Sequence, residues 1–367
     1  MEIISYLAPY HETESGVEKK IQSQIKALEN NNCIVYRCVD NVSIFQNIVV
    51  KKDIQFLLKS YQNISELLHS ENIVYCRGIQ DYLVMFFLLL KKRKCKLAFE
   101  IQTIEKQEFL STKSCIGRVH AILDSIFGGH IKSHSDGIVS VTNEVMEYNR
   151  VITKNRCKYL ILGNGIDVDN IPMRNLSSND CMTQINVLCV AQVAKWHGVD
   201  RFIRGLHEYE STSDKRNIVL HIVGDGPELP YLKELTSELN LQDNVIFHGF
   251  KSGKELDEMF EMCHIALGSL GGFRINMHEM SSLKSGEYCA RGMPFVIAAK
   301  AIDFPDDWPY ILHVLETEES INMDDVIMFA NRVMADTNHP QIMREYAEQN
   351  LDWSIKMKKL KEFLESL

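Results

Sequence analysis

No apolar run in this chain is long enough to cross a bilayer. The longest, LVMFFLLL from Leu83 to Leu90, holds eight residues, where a spanning helix needs about 20. The basic run KKRKCK, Lys91 to Lys96, follows it. That pairing fits a buried helix whose basic end complements the helix dipole. It also fits a helix leaning on an anionic membrane surface. The opening MEIISYLAPY reads as no signal peptide, because its apolar stretch is short and runs into polar residues. The ten cysteines contain no C-x-x-C pair. Most lie in apolar runs, such as Cys76 in NIVYC and Cys189 in NVLCVA. This points to reduced, buried thiols of a cytoplasmic protein, not to a disulfide frame or a zinc site. Positive charge is also short: the net charge of −9 argues against a nucleic-acid partner. Internal repeats and low-complexity tracts are missing.

What is present is a globular composition, 45% hydrophobic and 24% charged, over 367 residues, which leaves room for two domains. Short apolar runs alternate with helical stretches throughout. In the first half they are EIISYL, CIVYRCV, NIVYC, CKLAFEI, GIVSV and CKYLIL. In the second half they are NVLCVAQ, IVLHIV, NVIFHG, HIALGS, PFVIA and YILHVL. Strands of this kind separated by helices predict parallel sheets covered on both faces. The fold class is therefore α/β, with two doubly wound domains and ligands beyond the carboxyl ends of the strands. The polar, turn-rich stretch GNGIDVDNIPMRNLSSNDCMTQ, Gly163 to Gln184, is the candidate linker. The expected division is a first domain over 1–168, a linker over 169–184, a second domain over 185–345 and a closing amphipathic helix within 346–367.

One segment carries chemistry: HEMSSLKSGEYCARGMPFV, residues 278 to 296, places Glu279 and Glu287 with seven residues between them. On one continuous helix the two carboxylates would be about 12 Å apart along the axis and turned by roughly 80°. A break between them changes this. Ser281 and Ser282 are natural N-caps, and Gly292 with Pro294 fits a helix stop. Glu279 is then expected in a loop, and a short helix from about Ser282 to Arg291 carries Glu287 on its second turn. A helix start offers free N–H groups to a phosphate. Lys284 in the first turn opposes the macrodipole, and an anion held by both would explain it. The plainer alternative is a surface helix with two solvated glutamates.

With these residues the sequence resembles the retaining GT-B glycosyltransferases of the family 4, or group 1, type. Their pattern is E-x7-E, a small residue, Gly-x-Pro and a strand. Here it reads Glu279, Glu287, YCARGMP and FVIAA. Other landmarks follow in order: SGVEKKIQSQIKAL, GNGID, VAQVAKWHGVDRFIRGL, LHIVGDGPELPYLKEL and NVIFHGFKSGKELDEMFEMCHIALGS. Together they span nearly the whole chain. WHGVDR, SSLKSGEYCARGMPFV and DFPDDWPYIL further resemble a subset associated with bacterial capsule and exopolysaccharide assembly.

The resemblance implies two Rossmann-like domains facing across a cleft, with the C-terminal helix crossing back to the first. It implies a nucleotide-sugar donor, a glycan or lipid-linked acceptor and retention of configuration by front-face attack. Glu287 would hold the ribose hydroxyls and Glu279 would face the donor sugar. Ser281, Ser282 and Leu283 would offer backbone amides to the diphosphate, and Gly16 would let the first domain's loop approach it. Gly249 and Phe250 would line the nucleobase. The family's Arg and Lys that neutralise the diphosphate align with Gln192 and His197. Lys195, Arg201 and Lys284 are the candidates to replace that charge, each well-placed donor being worth about 3 kcal/mol in the barrier. The family's first-domain histidine falls near Glu100 and Gln102.

No cofactor and no metal are expected. The D-x-D of Asp167 to Asp169 sits in the linker, and carboxylates are sparse around histidines 120, 130 and 134. GDGPEL and GNGID do not form a dinucleotide fingerprint. A nucleotide-sugar 2-epimerase of the same architecture and a non-catalytic sugar-nucleotide-binding subunit remain alternatives. The expected location is cytoplasmic, with peripheral contact at the inner face of the plasma membrane through Lys91 to Lys96.

Overall fold

The computed structural model describes residues 2–7, 16–38, 65–66, 68, 72–79, 82–89, 93–111, 115–174, 184–211 and 216–367. The chain divides into two compact units. The first joins Met1–Asn164 to Trp353–Leu367, and the second is Gly165–Asp352.

Among the described residues the first unit holds six strands: β1 (Glu2–Leu7), β2 (Cys33–Cys38), β3 (Ile73–Arg77), β4 (Lys96–Ile101), β5 (Gly137–Ser140) and β6 (Lys158–Ile161). They form one sheet in the order β2-β1-β3-β4-β5-β6, parallel throughout. Side chains alternate between its faces. Val74, Cys76, Leu97, Phe99 and Ile138 enter one core. Their neighbours Ile73, Tyr75, Ala98 and Val139 enter another on the opposite face. Burial on both faces is why these strands read as continuous apolar runs. The second core is closed by helix α1 (Gly16–Asn30) and by the helix Trp353–Ser366. The latter contributes Trp353, Met357, Leu360 and Leu364, one stripe at helical spacing.

The second unit holds β7 (Gln184–Val190), β8 (Asn217–Val223), β9 (Val245–Gly249), β10 (Ile265–Leu267), β11 (Glu279–Met280), β12 (Phe295–Ile297), β13 (Lys300–Ala301) and β14 (Ile311–His313). Its main sheet runs β14-β12-β10-β7-β8-β9, again parallel. Read from the other edge this is the 3-2-1-4-5-6 order, which reverses between β7 and β10. In the first unit the reversal lies between β1 and β3. Ligands of such sheets bind at these reversals, beyond the carboxyl strand ends.

The expected borders shift. The division falls inside GNGID, after Asn164. The second unit runs on through a π-turn at Ala347–Leu351, so the closing helix starts at Trp353, not at 346. Residues 175–183 of the expected linker lie outside the described residues. The apolar run forms the helix Tyr82–Leu89, with Tyr82, Met85 and Leu89 buried in the core. Leu90, Lys91 and Lys92 lie outside the described residues. Arg93 is paired with Asp136 at 2.7 Å. Among the described residues no helix is long and apolar enough to cross a membrane. Cys33, Cys76, Cys95, Cys189, Cys263 and Cys289 are buried thiols outside any disulfide, as their apolar settings suggested.

Candidate functional site

The loops beyond β7, β8, β9 and β10 are laced into one surface. After β7, Ala191 donates to Val223 O at 3.0 Å and Val193 to Asp225 O at 2.6 Å. Two glycines make this approach possible. A Cβ on Gly224 or Gly226 would meet a loop carbonyl at 2.0 Å or 2.2 Å, and both have φ in the region that favours glycine, +126° and +149°. Gly224 N–H in turn reaches Gly249 O at 2.7 Å, which ties in the end of β9. Beyond β10, Leu270 N–H donates to His197 O at 2.9 Å and Ser269 Oγ to Trp196 O at 2.5 Å. The GDGP and GSLGG segments thus hold the 191–197 loop from two sides. Phe250 stands at the end of β9 with 78% of its surface exposed, an open aromatic face.

The helix foreseen from Ser282 forms as Leu283–Arg291. Ser282 is its N-cap in extended conformation, and its Oγ accepts the Ser285 N–H at 3.0 Å. Gly292 ends the helix at φ +72°, the left-handed cap. The first bond along the backbone runs from Gly286 N–H to Ser282 O, so the amides of Leu283 and Lys284 precede it. Ser281 is buried and donates through Oγ to Asp303 at 2.5 Å, fixing the approach to the helix.

Glu287 is half-buried, and its Oε1 accepts from Arg291 Nε at 2.9 Å. Arg291 is itself held by Asp257 at 2.7 Å and lies over the Phe260 ring at 4.1 Å. The carboxylate is therefore positioned through Oε1. Glu279 is not in a loop as expected. It forms the two-residue strand β11 with Met280, paired to Lys300 and Ala301 of β13. Two residues are too few for any alternation to announce them.

The cationic candidates separate clearly. Lys195 is exposed on the 3-10 turn Lys195–His197. Arg201 corrects the sequence reading: it is 1% exposed. Its guanidinium donates to the carbonyls of Glu319 and Leu315, both at 2.8 Å, and of Leu270. A planar fork this buried, with three of its five N–H groups given to backbone oxygens, braces the fold and is out of a diphosphate's reach. Lys284 is the opposite case. Its amine is buried and has no hydrogen-bond partner among the described residues. Burial pushes its pKa down, and the nearby Cys189 thiol only partly offsets this.

His197 sits beside it. Its Nδ1 accepts the Ala194 N–H at 3.0 Å. Burial, and then the Lys284 charge, push its pKa to about 3. The ring is neutral, and with Nδ1 engaged as acceptor its proton is on Nε2. Gln192 is exposed. The sequence marked His197 only as a lost lysine. Its capacity to donate was missed because it depends on the backbone turn at Ala194.

The remaining candidate, Gly16, is the first residue of α1 and belongs to the other unit. That unit has its own polar cluster at the strand reversal. Glu100 accepts from Tyr6 at 2.8 Å, Gln24 at 3.2 Å, Arg77 at 3.1 Å and Gln102 at 2.5 Å. Lys20 donates to Gln102 Oε1 at 2.5 Å and to Asn164 Oδ1. No group of three or more metal-binding side chains occurs among the described residues. Asp167 instead accepts from Asn170 Nδ2 at 2.7 Å. The His130 and His134 rings lie 4.2 Å apart, tilted by 42°.

Residues 178–303 match the family model for glycosyl transferases group 1. The glycosyl transferase match takes in β7 through β13, and with them His197, Glu279, Lys284 and Glu287. No curated protein matches the chain. Solved structures do, over the full length. A glycosyltransferase from Rickettsia africae ESF-5 shares 14% identity at a TM-score of 0.67, covering 100% of this chain and 98% of that one. The lipopolysaccharide outer core galactosyltransferase WaaB, in its apo form, shares 14% at 0.65, covering 99% of each. Anabaena HepE in complex with UDP and glucose shares 14% at 0.61, covering 100% of each. At such identities the likeness establishes the fold, which is the two-domain GT-B architecture of these glycosyltransferases.

Proposed function

We propose that this protein is a retaining glycosyltransferase that moves a hexosyl-type group from a nucleoside-diphosphate sugar to a glycan or lipid-linked acceptor. One observation carries the reading. Within the span matched to glycosyl transferases group 1, a capped helix start lies between Glu279 and a positioned Glu287. Amides at a helix start suit a diphosphate. Glu287 would take the ribose hydroxyls, Glu279 would face the sugar, and Gly249 with the exposed Phe250 would line the base. Gly16 would serve the donor from the first unit.

The leaving group is the nucleoside diphosphate, and its growing charge would be stabilised by the amides of Ser281, Ser282 and Leu283, by Lys284 and by the exposed Lys195. No metal or cofactor enters this scheme. UDP in the HepE complexes makes a uridine donor the first to try. The WaaB likeness supports a place in surface-polysaccharide assembly. Cytoplasmic location with peripheral membrane contact through residues 91–96 belongs to the same proposal. Vesicle binding unchanged by replacing these basic residues would remove that part.

A non-catalytic sugar-nucleotide-binding subunit is the second reading, favoured by Gln192 and His197 standing where the family carries Arg and Lys. Incubation with a panel of nucleotide sugars, read as release of nucleoside diphosphate, separates the two. Glu287→Ala should weaken donor binding by about 1.5–3 kcal/mol, the worth of hydrogen bonds to a charged group. Unchanged affinity would refute the ribose assignment.

A further inference from the structure

Resting on that donor reading, we propose that Lys284 and His197 together grip the donor's diphosphate, and that Lys284 takes up a proton from solvent as the phosphate enters. Three observations meet here. The Lys284 amine is enclosed and unpartnered among the described residues. His197 carries a free N–H on Nε2, since Nδ1 is occupied by Ala194. Lys284 is the second residue of a nine-residue helix whose opening amides await an acceptor.

Among the described residues, the groups facing the amine supply no counter-charge. From β7, Cys189 is buried and its thiol is pushed up, so it stays protonated. From the loop beyond β7, His197 is neutral. On Lys284's own helix, Tyr288 is buried and pushed far up, and Glu287 is engaged by Arg291. Lys195 lies on the same 3-10 turn as His197, and Glu279 on β11 precedes the helix in the chain. An ammonium enclosed without a partner is costly, so the empty site favours the neutral amine. The diphosphate brings the missing negative charge and reverses that preference. His197 then contributes a neutral donor, which avoids a second cation beside the first. A matched Arg and Lys at 192 and 197 would be permanently charged. This pair acquires its charge with the ligand.

The test is calorimetric titration of the full chain with UDP-glucose, or GDP-mannose should the uridine nucleotide not bind. Their esterified diphosphates have no proton of their own to exchange. Comparing two non-phosphate buffers of different ionisation enthalpy, across about pH 7 to 9, counts the protons exchanged. The wild type should take up close to one proton per nucleotide toward the alkaline end and less toward the acid end. Lys284→Met should abolish the uptake and weaken binding at least about tenfold. Lys284→Arg should bind without uptake. Binding by the wild type with identical heats in both buffers would overturn the inference and leave the donor reading intact. Undiminished uptake in Lys284→Met would do the same. Failure of the wild type to bind either nucleotide sugar would overturn the donor reading itself, and this inference with it.

Discussion

Each unit buries a lysine where its strand order reverses, and the two lysines keep different company. Lys20, in the helix after β1, reaches Gln102 and Asn164 and lies 3.7 Å from Glu100, which Arg77, Tyr6 and Gln24 also hold. Lys284, beside the loop after β7, reaches no protein partner among the described residues. Burial lowers the pKa of both. A satisfied network stiffens a fold, whereas a half-satisfied one costs stability. The first site therefore reads as structure, and the second as a place kept for an anion.

The comparison breaks most visibly at Glu100. Its carboxylate offsets two buried cations, and Arg77 beside it holds its pKa below the usual range despite burial. Glu100→Gln should cost about 3–5 kcal/mol, the usual result of removing one partner from a buried pair. Denaturant unfolding measures it. A loss below about 1 kcal/mol would mean that Arg77 and Lys20 reach solvent, and the contrast between the sites would fail. Lys20→Met should come next, at about 1–3 kcal/mol, because it takes a donor from the Gln102 and Asn164 oxygens.

Much of this architecture is visible in sequence. All twelve short apolar runs became the strands of the two large sheets. Burial on both faces writes itself locally as residues of one kind in a row. The 283–291 helix was equally legible, because Ser282 and Gly292 punctuate it on either side. What failed depends on distant partners. Arg201 looked like a free cation, yet carbonyls at Leu270, Leu315 and Glu319 close around it. Glu279 looked like a loop residue, yet pairs with Lys300 across a two-residue ladder. The burial of the Lys284 amine depends on β7 and its loop, which no local pattern near residue 284 reports.

A smaller effect sharpens the contrast through pH. Burial lowers Lys20 from 10.5 to about 7. Between those values the unfolded chain holds a proton that the folded protein has released. The unfolded state binds more protons there, so stability should rise with pH across the window, by at most about 1.4 kcal/mol per pH unit from this group. Lys20→Met should remove that part of the slope. Lys284 is lowered in the same direction, so the double variant should lose more of this slope than the single one. An equal pH dependence of stability just above pH 7 in the wild type and in Lys20→Met would contradict the Lys20 assignment.

The smallest expected change has the opposite sign. Lys284→Met replaces an enclosed, unpartnered amine with an apolar side chain of similar length, and no neighbouring hydrogen bond is lost. In the absence of nucleotide this should leave stability unchanged or raise it by up to about 1 kcal/mol. Lys20→Met lowers it. Two lysine-to-methionine changes, each at the reversal of a six-stranded sheet, would thus move the unfolding midpoint in opposite directions. A destabilisation by Lys284→Met as large as that of Lys20→Met would show that the amine already does structural work in the empty protein. The site would then hold no place open for phosphate.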